Sequence, residues 1–380
     1  MKKHLVLVGG GHAHLTALRR LDAIIKAGHA VTVVAPAKYH YYSGMGPGAL
    51  GGFYRPEDIR FNVRRMTEKR NAVFAQDKAA SIDPVRRLLT LASGRTLGYD
   101  VLSFNIGSRI PVEKMGLAPE AASQVYPVKP IENLLAAAER LRSLTGAGQS
   151  PRILVAGGGP AGFEMAGNVH RFLTSLGLRR PDITLAAGSG GLLAGYPGRM
   201  RRLAEASLSG RGVTVVAERV TETNPGLAKT ASDREIPFDL AFACLGVAPP
   251  DLFAACGLPT GGGGWLSVNQ YLQCVDHPDI FGGGDCVYFT PSPLDKVGVY
   301  PVRENPILAD NLKAALEGRP LTPFTGTKGG YLQILNSGDG KGIFRKGGLV
   351  LGGRLAFALK DYIDVKFMRA FQECGERLGG

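Results

Sequence analysis

The sequence has no paired cysteines, no long apolar run and few acidic residues for its length. Its five cysteines are Cys244, Cys256, Cys274, Cys286 and Cys374. None forms a CxxC pair or a metal-ligand spacing, which argues against a zinc site and favours a reducing compartment. No stretch of about 18 apolar residues could form a membrane-spanning helix. The first apolar run is too short for a signal peptide, so we expect a cytoplasmic protein.

Acidic residues number 32 against 45 lysines and arginines, a formal net charge of +13. Such a chain favours anionic partners, such as phosphate-bearing cofactors or anionic lipid. The basic residues are scattered and no nucleic-acid-binding module is present, so we expect no nucleic-acid partner. With 380 residues, 44% of them hydrophobic, the chain is long enough for two domains and an appendage.

The stretch LVLVGGGHAHLTAL, from residue 5, joins a short buried strand to a helix through three glycines. AVTVVAP then follows as a second strand, and this order is typical of a dinucleotide-binding turn. Gly9 would permit the tight turn, and Gly11 would let backbone N–H groups approach a pyrophosphate. The third glycine of the motif is replaced by His14. The acidic residue that normally ends the second strand is replaced by Ala35 and Pro36.

The histidines of this turn allow three interpretations. His12 and His14 could hold a metal, but two residues apart on a helix they diverge, and no further ligand completes a set. They could simply pack beside the turn, or they could contact a bound cofactor. We expect no metal site, and the sequence leaves the other two interpretations open.

A second turn, AGGGPAGFEMAG, carries the complete GxGxxG motif at Gly157, Gly159 and Gly162. A strand precedes it and a helix followed by the strand DITLAAGS comes after it. Two such units about 150 residues apart predict two dinucleotides, one in each domain. The acidic ribose-binding residue is again absent. Arg199, Arg201 and Arg202 lie downstream, where they could meet a 2′-phosphate or form a solvated helix surface.

VGGGHAH, NIGSRI, AGGGPAGFEMAG, CLGVAPP and FGGGDC follow one another along nearly the whole chain. With these motifs the sequence resembles the pyridine nucleotide-disulfide reductase superfamily, in its branch of type II NADH dehydrogenases and sulfide:quinone oxidoreductases. YYSGMGPGALGGFY and LKDYIDVKFMRAFQ further resemble NADH dehydrogenase-like flavoproteins found alone or fused to selenide, water dikinase. The resemblance implies an α/β fold of two Rossmann-like domains, the second inserted in the first, with a C-terminal α+β segment. The domain bounds expected are 1–112 with 268–325 for FAD, 113–267 for NAD(P)H and 326–380 for the C-terminal segment.

The resemblance also implies which residues bind the two cofactors, FAD and NAD(P)H. For FAD they are Gly9, Gly11, His12, Ala13, Ala35, Pro36, Tyr42, Ser43, Ala79, Gly107, Ser108, Gly284, Asp285, Pro301 and Val302. For the nicotinamide nucleotide they are Gly157, Gly159, Pro160, Ala161, Gly162, Glu164 and Gly246. Glu164, Lys296 and Arg303 are the candidate catalytic residues near the reacting rings.

Two departures from the superfamily bear on the reaction. Disulfide reductases need a cysteine pair just after the first unit, where this chain has YHYYSGMGPGALGG. A thiol mechanism, including sulfide oxidation, is therefore disfavoured. The glutamine that faces the quinone in type II dehydrogenases is replaced by Val299, which weakens quinone as the acceptor without excluding it.

In LAFALKDYIDVKFMRAFQ the apolar residues recur at helical spacing and predict an amphipathic helix. On the predicted apolar face are Leu355, Leu359, Tyr362, Ile363, Phe367, Ala370 and Phe371. This face could pack on the protein's own core or on a homodimer partner. It could also lie on an anionic membrane surface, which would make the protein peripheral on the inner face of the cell membrane.

Three functions remain open from the sequence. The first is an FAD-dependent enzyme that passes a hydride from NAD(P)H to flavin and on to a quinone or similar acceptor. The second is oxidation of sulfide or another sulfur or selenium compound. The third is a non-catalytic flavin-binding redox sensor or partner protein.

Overall fold

A computed structural model describes residues 1–326 and 330–372. Its first sheet has five strands, all parallel. In spatial order they are Ile280–Gly282, Val101–Phe104, His4–Val8, Ala30–Ala35 and Val73–Gln76. The strands are short uninterrupted apolar runs because helices cover both faces of a parallel sheet.

The second sheet repeats this architecture with five parallel strands. In spatial order they are Val125–Pro127, Leu240–Ala243, Arg152–Ala156, Asp182–Ala186 and Thr214–Val216. All of them lie in the chain between two neighbouring strands of the first sheet. The predicted fold class, two Rossmann-like units with the second inserted in the first, is therefore confirmed.

The helices connect and cover these sheets. Their bounds are Leu15–Arg19, Leu21–Lys26, Gly46–Leu50, Val63–Glu68, Glu132–Gly146, Pro160–Ser175, Gly198–Ser209, Leu252–Ala255, Val299–Glu317 and Arg354–Phe371. The single helix expected after the first turn is broken at Arg20 into two short helices. Within the described residues, no helix combines the length and the apolar character needed to cross a membrane.

Small sheets complete the fold. Their strands are Tyr39–Tyr41 with Arg60–Asn62; Ala79–Asp83 with Leu88–Leu91 and Thr96–Gly98; Val220–Asn224 with Leu227–Thr230 and Glu235–Pro237; Thr260–Gly261 with Trp265–Val268 and Val287–Phe289; and Gln333–Asn336 with Gly342–Lys346 and Leu349–Gly353. The strand Trp265–Val268 crosses the predicted domain boundary between residues 267 and 268. It pairs with the strand Val287–Phe289, which lies in the predicted FAD-binding domain. We therefore propose that the second domain ends before Thr260.

The C-terminal helix Arg354–Phe371 packs across the last small sheet. Its buried positions are Ala356, Asp364 and Met368, which are not on the predicted apolar face. Of that face, Phe367 and Phe371 pack against the core. Leu355, Leu359, Tyr362 and Ile363 are exposed instead. The apolar face is split because Asp364 and Lys360, which pair at 2.6 Å, occupy part of the inward side of the helix.

Candidate dinucleotide-binding site

The first turn lies at the carboxyl end of the strand His4–Val8, where a parallel sheet presents its ligand site. Gly9 has a φ of +92°, and a Cβ atom there would lie 2.2 Å from the carbonyl oxygen of Asn105. Gly11 is extended and precedes the first helical turn, His12–His14. The positive φ of Gly9 fits the tight turn, and the approach of a pyrophosphate to the Gly11 backbone stays a prediction.

Asn105 joins this turn to a distant loop. Its Oδ1 accepts the Ala13 N–H at 3.1 Å, and its Nδ2 donates to the carbonyl of Gly283 at 2.6 Å. The side chain is buried. Sequence reasoning missed this residue, although a polar side chain directly after the buried strand Val101–Phe104 is a usable signal.

His14 is a structural residue of the turn. It is fully buried, with Nδ1 2.7 Å from the carbonyl oxygen of Gly9 and Nε2 2.9 Å from Ser103 Oγ. Burial lowers the pKa of His14 to about 4, so it is neutral at pH 7. His14 thus ties the turn to the neighbouring strand where most dinucleotide turns carry a glycine.

His12 lies in an aromatic cluster beside the turn. Its ring centre is 5.1 Å from those of His40 and Tyr42, and Phe367 of the C-terminal helix lies at 5.9 Å. The Nε2 atoms of His12 and His40 are buried and have no hydrogen-bond partner. Burial lowers the pKa of both histidines, that of His40 to about 4. Two neutral imidazoles therefore have unused polar atoms next to the first turn.

Asp285 lies on the short 3-10 turn Gly284–Cys286, at the same end of the first sheet. The ammonium of Lys129 lies 2.6 Å from its Oδ2 and donates to Ser108 Oγ at 3.2 Å. The hydroxyl of Ser108 also donates to Asp285, at 3.2 Å. Lys129 belongs to the inserted chain segment, so this ion pair joins the two domains at the site. Sequence reasoning missed Lys129, which has no motif of its own.

Glu304 holds the loop before Asp285. Its Oε2 accepts the Gly284 N–H at 2.6 Å, and the side chain is only 1% exposed. Burial raises the pKa of Glu304 to about 7. Lys296, a predicted site residue, donates to the carbonyl of Val287, and burial lowers its pKa. Both side chains line the same small cavity as Asp285.

Of the other predicted site residues, some lie at this end of the first sheet and others lie elsewhere in the fold. Pro301 lies against the loop at Gly284, whereas Arg303 donates to the carbonyls of Gly326 and Gly330. Ala79 begins the strand Ala79–Asp83 of a small sheet. Ala35 ends the strand Ala30–Ala35 and Pro36 follows it, while Ser43 begins the 3-10 turn Ser43–Met45. Gly107 has a φ of +72°, and Val302 lies in the first turn of the helix Val299–Glu317.

The second turn is similar to the first at its first glycine. Gly157 has a φ of +123°, and a Cβ there would lie 2.2 Å from the carbonyl oxygen of Cys244. A Cβ on Gly162 would lie 1.8 Å from the carbonyl oxygen of Gly157. Gly159 is different, because nothing lies within 4 Å of its Cβ position. The helix Pro160–Ser175, which includes Ala161, starts at this open space.

Glu164 faces the C-terminal segment. Its Oε1 accepts the Asn336 N–H at 2.6 Å, and burial raises the pKa of this carboxyl to about 7. Near it, the Lys360 ammonium lies 2.6 Å from Asp364, which accepts the hydroxyl of Tyr42 at 3.1 Å. These polar contacts join both nucleotide domains to the C-terminal segment, Glu164 through the strand Gln333–Asn336 and Tyr42 through the helix Arg354–Phe371. Gly246, predicted at the nucleotide site, lies after the strand Leu240–Ala243.

No disulfide joins the described cysteines, and Cys256, which is half-buried, accepts the Ile82 N–H through its sulfur at 3.2 Å. Cys244, Cys274 and Cys286 are buried, and burial raises the pKa of each, that of Cys286 to about 12. The sulfur of Cys286 donates to the carbonyl of Gly283 at 3.3 Å. A buried thiol at pH 7 is protonated and poorly nucleophilic. Cys374 lies outside the described residues.

The residues around the first turn fit FAD. Two buried imidazole nitrogens without partners lie beside a helix start that favours a pyrophosphate. A carboxylate, Asp285, lies at the same sheet end, where a hydroxylated chain would find an acceptor. The open space at Gly159 fits a second dinucleotide in the same way.

Comparisons with known proteins agree with this geometry. A family model described as pyridine nucleotide-disulphide oxidoreductase matches residues 3–309. Ferroptosis suppressor protein 1 of Xenopus laevis is 24% identical, over 98% of this chain and 96% of that protein. Type II NADH:quinone oxidoreductase of Staphylococcus saprophyticus is 23% identical, over 96% of this chain and 95% of that protein. The sulfide:quinone oxidoreductase structure from Aquifex aeolicus superposes with a TM-score of 0.79 at 20% identity, over 98% of this chain and 92% of that chain.

Proposed function

The chain belongs to the pyridine nucleotide-disulphide oxidoreductase family, and from this premise we propose that it is an FAD-dependent NAD(P)H:quinone oxidoreductase. A hydride passes from NAD(P)H to the flavin, and the electrons leave to a quinone-type acceptor. The type II NADH:quinone oxidoreductase of Staphylococcus saprophyticus matches 96% of the chain, and the sulfide-quinone reductase of Aquifex aeolicus matches 79% of it. Their names support the acceptor, and the geometry of this chain supports the donor.

The observation that carries the proposal is the pair of matching turns. Gly9 and Gly157 each have a positive φ. A Cβ atom added to either glycine would lie 2.2 Å from the backbone carbonyl oxygen of the residue that follows the neighbouring strand. Each turn opens a helix at the carboxyl end of its own parallel sheet. One dinucleotide in each domain brings a nicotinamide donor and a flavin acceptor into one protein.

The bound flavin supplies the hydride chemistry, and the protein binds and orients. The first turn, from Gly9 to Ala13, would hold the pyrophosphate, and Asp285 would accept from the hydroxylated chain. Glu304 holds the loop of Asp285 through the Gly284 N–H. Lys129 of the inserted domain pairs with Asp285 of the first domain, and this ion pair would hold the two domains together at the site.

Sulfide as the electron donor is the second candidate, because a sulfide:quinone oxidoreductase shares this fold. Such a reaction through enzyme thiols needs cysteines that can reach the substrate. Cys244, Cys274 and Cys286 are buried among apolar residues, with raised pKa values. Their burial supports the nicotinamide route instead.

Anaerobic mixing of the flavin-loaded protein with NADH, NADPH or sulfide tests the proposal. We expect either nicotinamide nucleotide to bleach the oxidised flavin absorbance within seconds, and a soluble quinone to restore it. Bleaching by sulfide alone would replace the proposal with the sulfide route. If no donor bleaches the flavin, the protein binds FAD without turnover, as a sensor or partner protein would.

We further propose that the protein binds an anionic membrane surface through an apolar patch. The patch comprises Leu349, Leu351, Leu355, Leu359, Tyr362 and Ile363, all exposed, at 39–88%. Exposed apolar groups this close together mark an interaction surface. The protein's net charge of +13 favours an anionic bilayer as the partner.

Sedimentation with vesicles tests the patch. The double variant Leu355→Gln with Tyr362→Gln is expected to lose most binding to phosphatidylglycerol vesicles. The control is Val85→Gln, because Val85 is apolar, 90% exposed and outside the patch. This variant should bind the vesicles as the unchanged protein does. Equal binding by all three proteins would contradict the membrane role. Conversion of a dimer to a monomer by the double variant, without vesicles, would assign the patch to a homodimer.

A further inference from the structure

The adenine-ribose end of the second nucleotide site has no carboxylate. In a dinucleotide-binding unit, an acidic residue at the end of the second strand binds the 2′-hydroxyl of NADH. Here the strand Asp182–Ala186 is followed by Ala187, Gly188 and Ser189. The loop therefore offers no carboxylate acceptor for that hydroxyl at the expected position.

The acidic residue Glu218 lies near this loop, and its side chain is already engaged. The N–H of Gly188 donates to the backbone carbonyl of Glu218. The Glu218 carboxylate accepts the hydroxyls of Thr230 and Ser232, and it lies 3.3 Å from Arg234. These partners lower the pKa of Glu218 and hold the carboxylate toward the small sheet. It does not substitute for the missing acid.

A guanidinium lies on the loop instead. Arg201, on the helix Gly198–Ser209, donates through Nε to the carbonyl of Leu192 at 3.3 Å. Its Nη2 lies 3.5 Å from the carbonyl oxygen of Gly190. The Arg201 side chain thus lies against the loop Gly188 to Leu192. The two carbonyls orient the guanidinium on the segment that directly follows the ribose position.

The Arg201 guanidinium has donors to spare. An arginine has five N–H donors, and the two carbonyl contacts use two of them. Among the residues that the structure describes, no carboxylate pairs with Arg201 within 4.0 Å. A phosphate would accept the remaining donors in the bidentate geometry that arginine favours.

We infer that the second site prefers NADPH to NADH, and that Arg201 binds the 2′-phosphate. This inference rests on the proposed function, because it names the substrate of the same site. NADPH would gain a charge-assisted contact with an arginine already oriented by its loop. NADH would present a 2′-hydroxyl to a loop that has no carboxylate to accept it. Gly191 lies beside the guanidinium, because a Cβ there would be in van der Waals contact with Arg201 Nη2, at 3.6 Å.

Calorimetric titration of the flavin-loaded protein tests the inference without turnover. The probes are adenosine 2′,5′-bisphosphate and adenosine 5′-monophosphate, which differ only in the 2′-phosphate. We expect the bisphosphate to bind at least tenfold more tightly. The variant Arg201→Gln should weaken bisphosphate binding roughly 10- to 100-fold, the range for a hydrogen bond to a charged group. It should change binding of the monophosphate little.

Arg202→Gln is the matched control, because Arg202 is exposed on the same helix and the charge change is identical. It should lower bisphosphate binding less than threefold. Equal affinity of the two probes, or equal loss in both variants, would overturn the inference.

The reduction experiment separates the two failures. If NADH and NADPH reduce the flavin with equal second-order rate constants, the proposed function stands and the NADPH preference is wrong. If neither nucleotide bleaches the flavin, the proposed function fails. An Arg201-dependent preference for the bisphosphate would still support 2′-phosphate binding in that case.

Discussion

Replacing Gly9 with alanine is expected to lower the free energy of unfolding by roughly 2–5 kcal/mol and to remove most of the bound flavin. Two costs add at this position. The φ of +92° is unfavourable for alanine, and the new Cβ would lie 2.2 Å from the carbonyl oxygen of Asn105. The contact is with backbone at a sheet end, so neither side can move away without breaking the pairing of neighbouring strands.

Gly28→Ala is the matched control for this prediction. Gly28 also has a φ of +92°, but nothing lies within 4 Å of its Cβ position. The control should therefore cost only the conformational strain, roughly 1–2 kcal/mol, and keep its flavin. Urea unfolding of the flavin-free proteins gives the stabilities, and the ratio of flavin to protein absorbance gives the cofactor content. Equal losses in the two variants would mean that contact with Asn105 is unimportant.

Replacing Gly159 with alanine is expected to leave the fold intact and to raise the KM for the nicotinamide nucleotide about tenfold or more, a loss of about 1.4 kcal/mol per tenfold. The space beside Gly159 is free of protein atoms, and its φ of −76° suits any residue. A pyrophosphate must approach the backbone at this point, where the helix Pro160–Ser175 begins. A methyl group would hold it away from the N–H groups.

Gly162→Ala supplies the contrast to Gly159→Ala. A Cβ at Gly162 would lie 1.8 Å from the carbonyl oxygen of Gly157, so this variant should be destabilised as well as inactive. Thermal unfolding and steady-state kinetics with NADH and NADPH distinguish the two results. An unchanged KM in a stable Gly159→Ala protein would show that the nucleotide does not bind at the second turn.

The two glycine turns illustrate what is local in this protein. Gly9 and Gly157 follow short apolar strands and precede helices, and a turn of this kind depends on a few adjacent residues. The conformational need for glycine and the end of the strand are both decided within that stretch. The insertion of the second sheet was predicted by the family resemblance of the whole series of motifs. Fold class and cofactor-binding turns are therefore readable from the sequence.

Asn105, Lys129 and Glu304 illustrate what is not local. Asn105 meets Gly283, which is 178 positions away, and Lys129 meets Asp285, which is 156 positions away. No periodicity or spacing in the chain marks such pairs, since each depends on which strand ends the fold brings together. Gly283 and Gly284, the partners of Asn105 and Glu304, lie in the motif FGGGDC at the carboxyl end of the first sheet, but the motif does not show which distant side chains reach it.

By itself, the sequence determined the two dinucleotide turns and the buried strands, because these depend on short-range pattern and backbone conformation. Its resemblance to a known family predicted the nested order of the domains. Only the tertiary structure decided which face of the C-terminal helix is buried. Helical periodicity predicts that apolar residues share a face, but Asp364 is buried because Tyr42 and Lys360 supply partners for it. A buried polar side chain is stable only where distant residues satisfy it, and those partners are known only once the chain has folded.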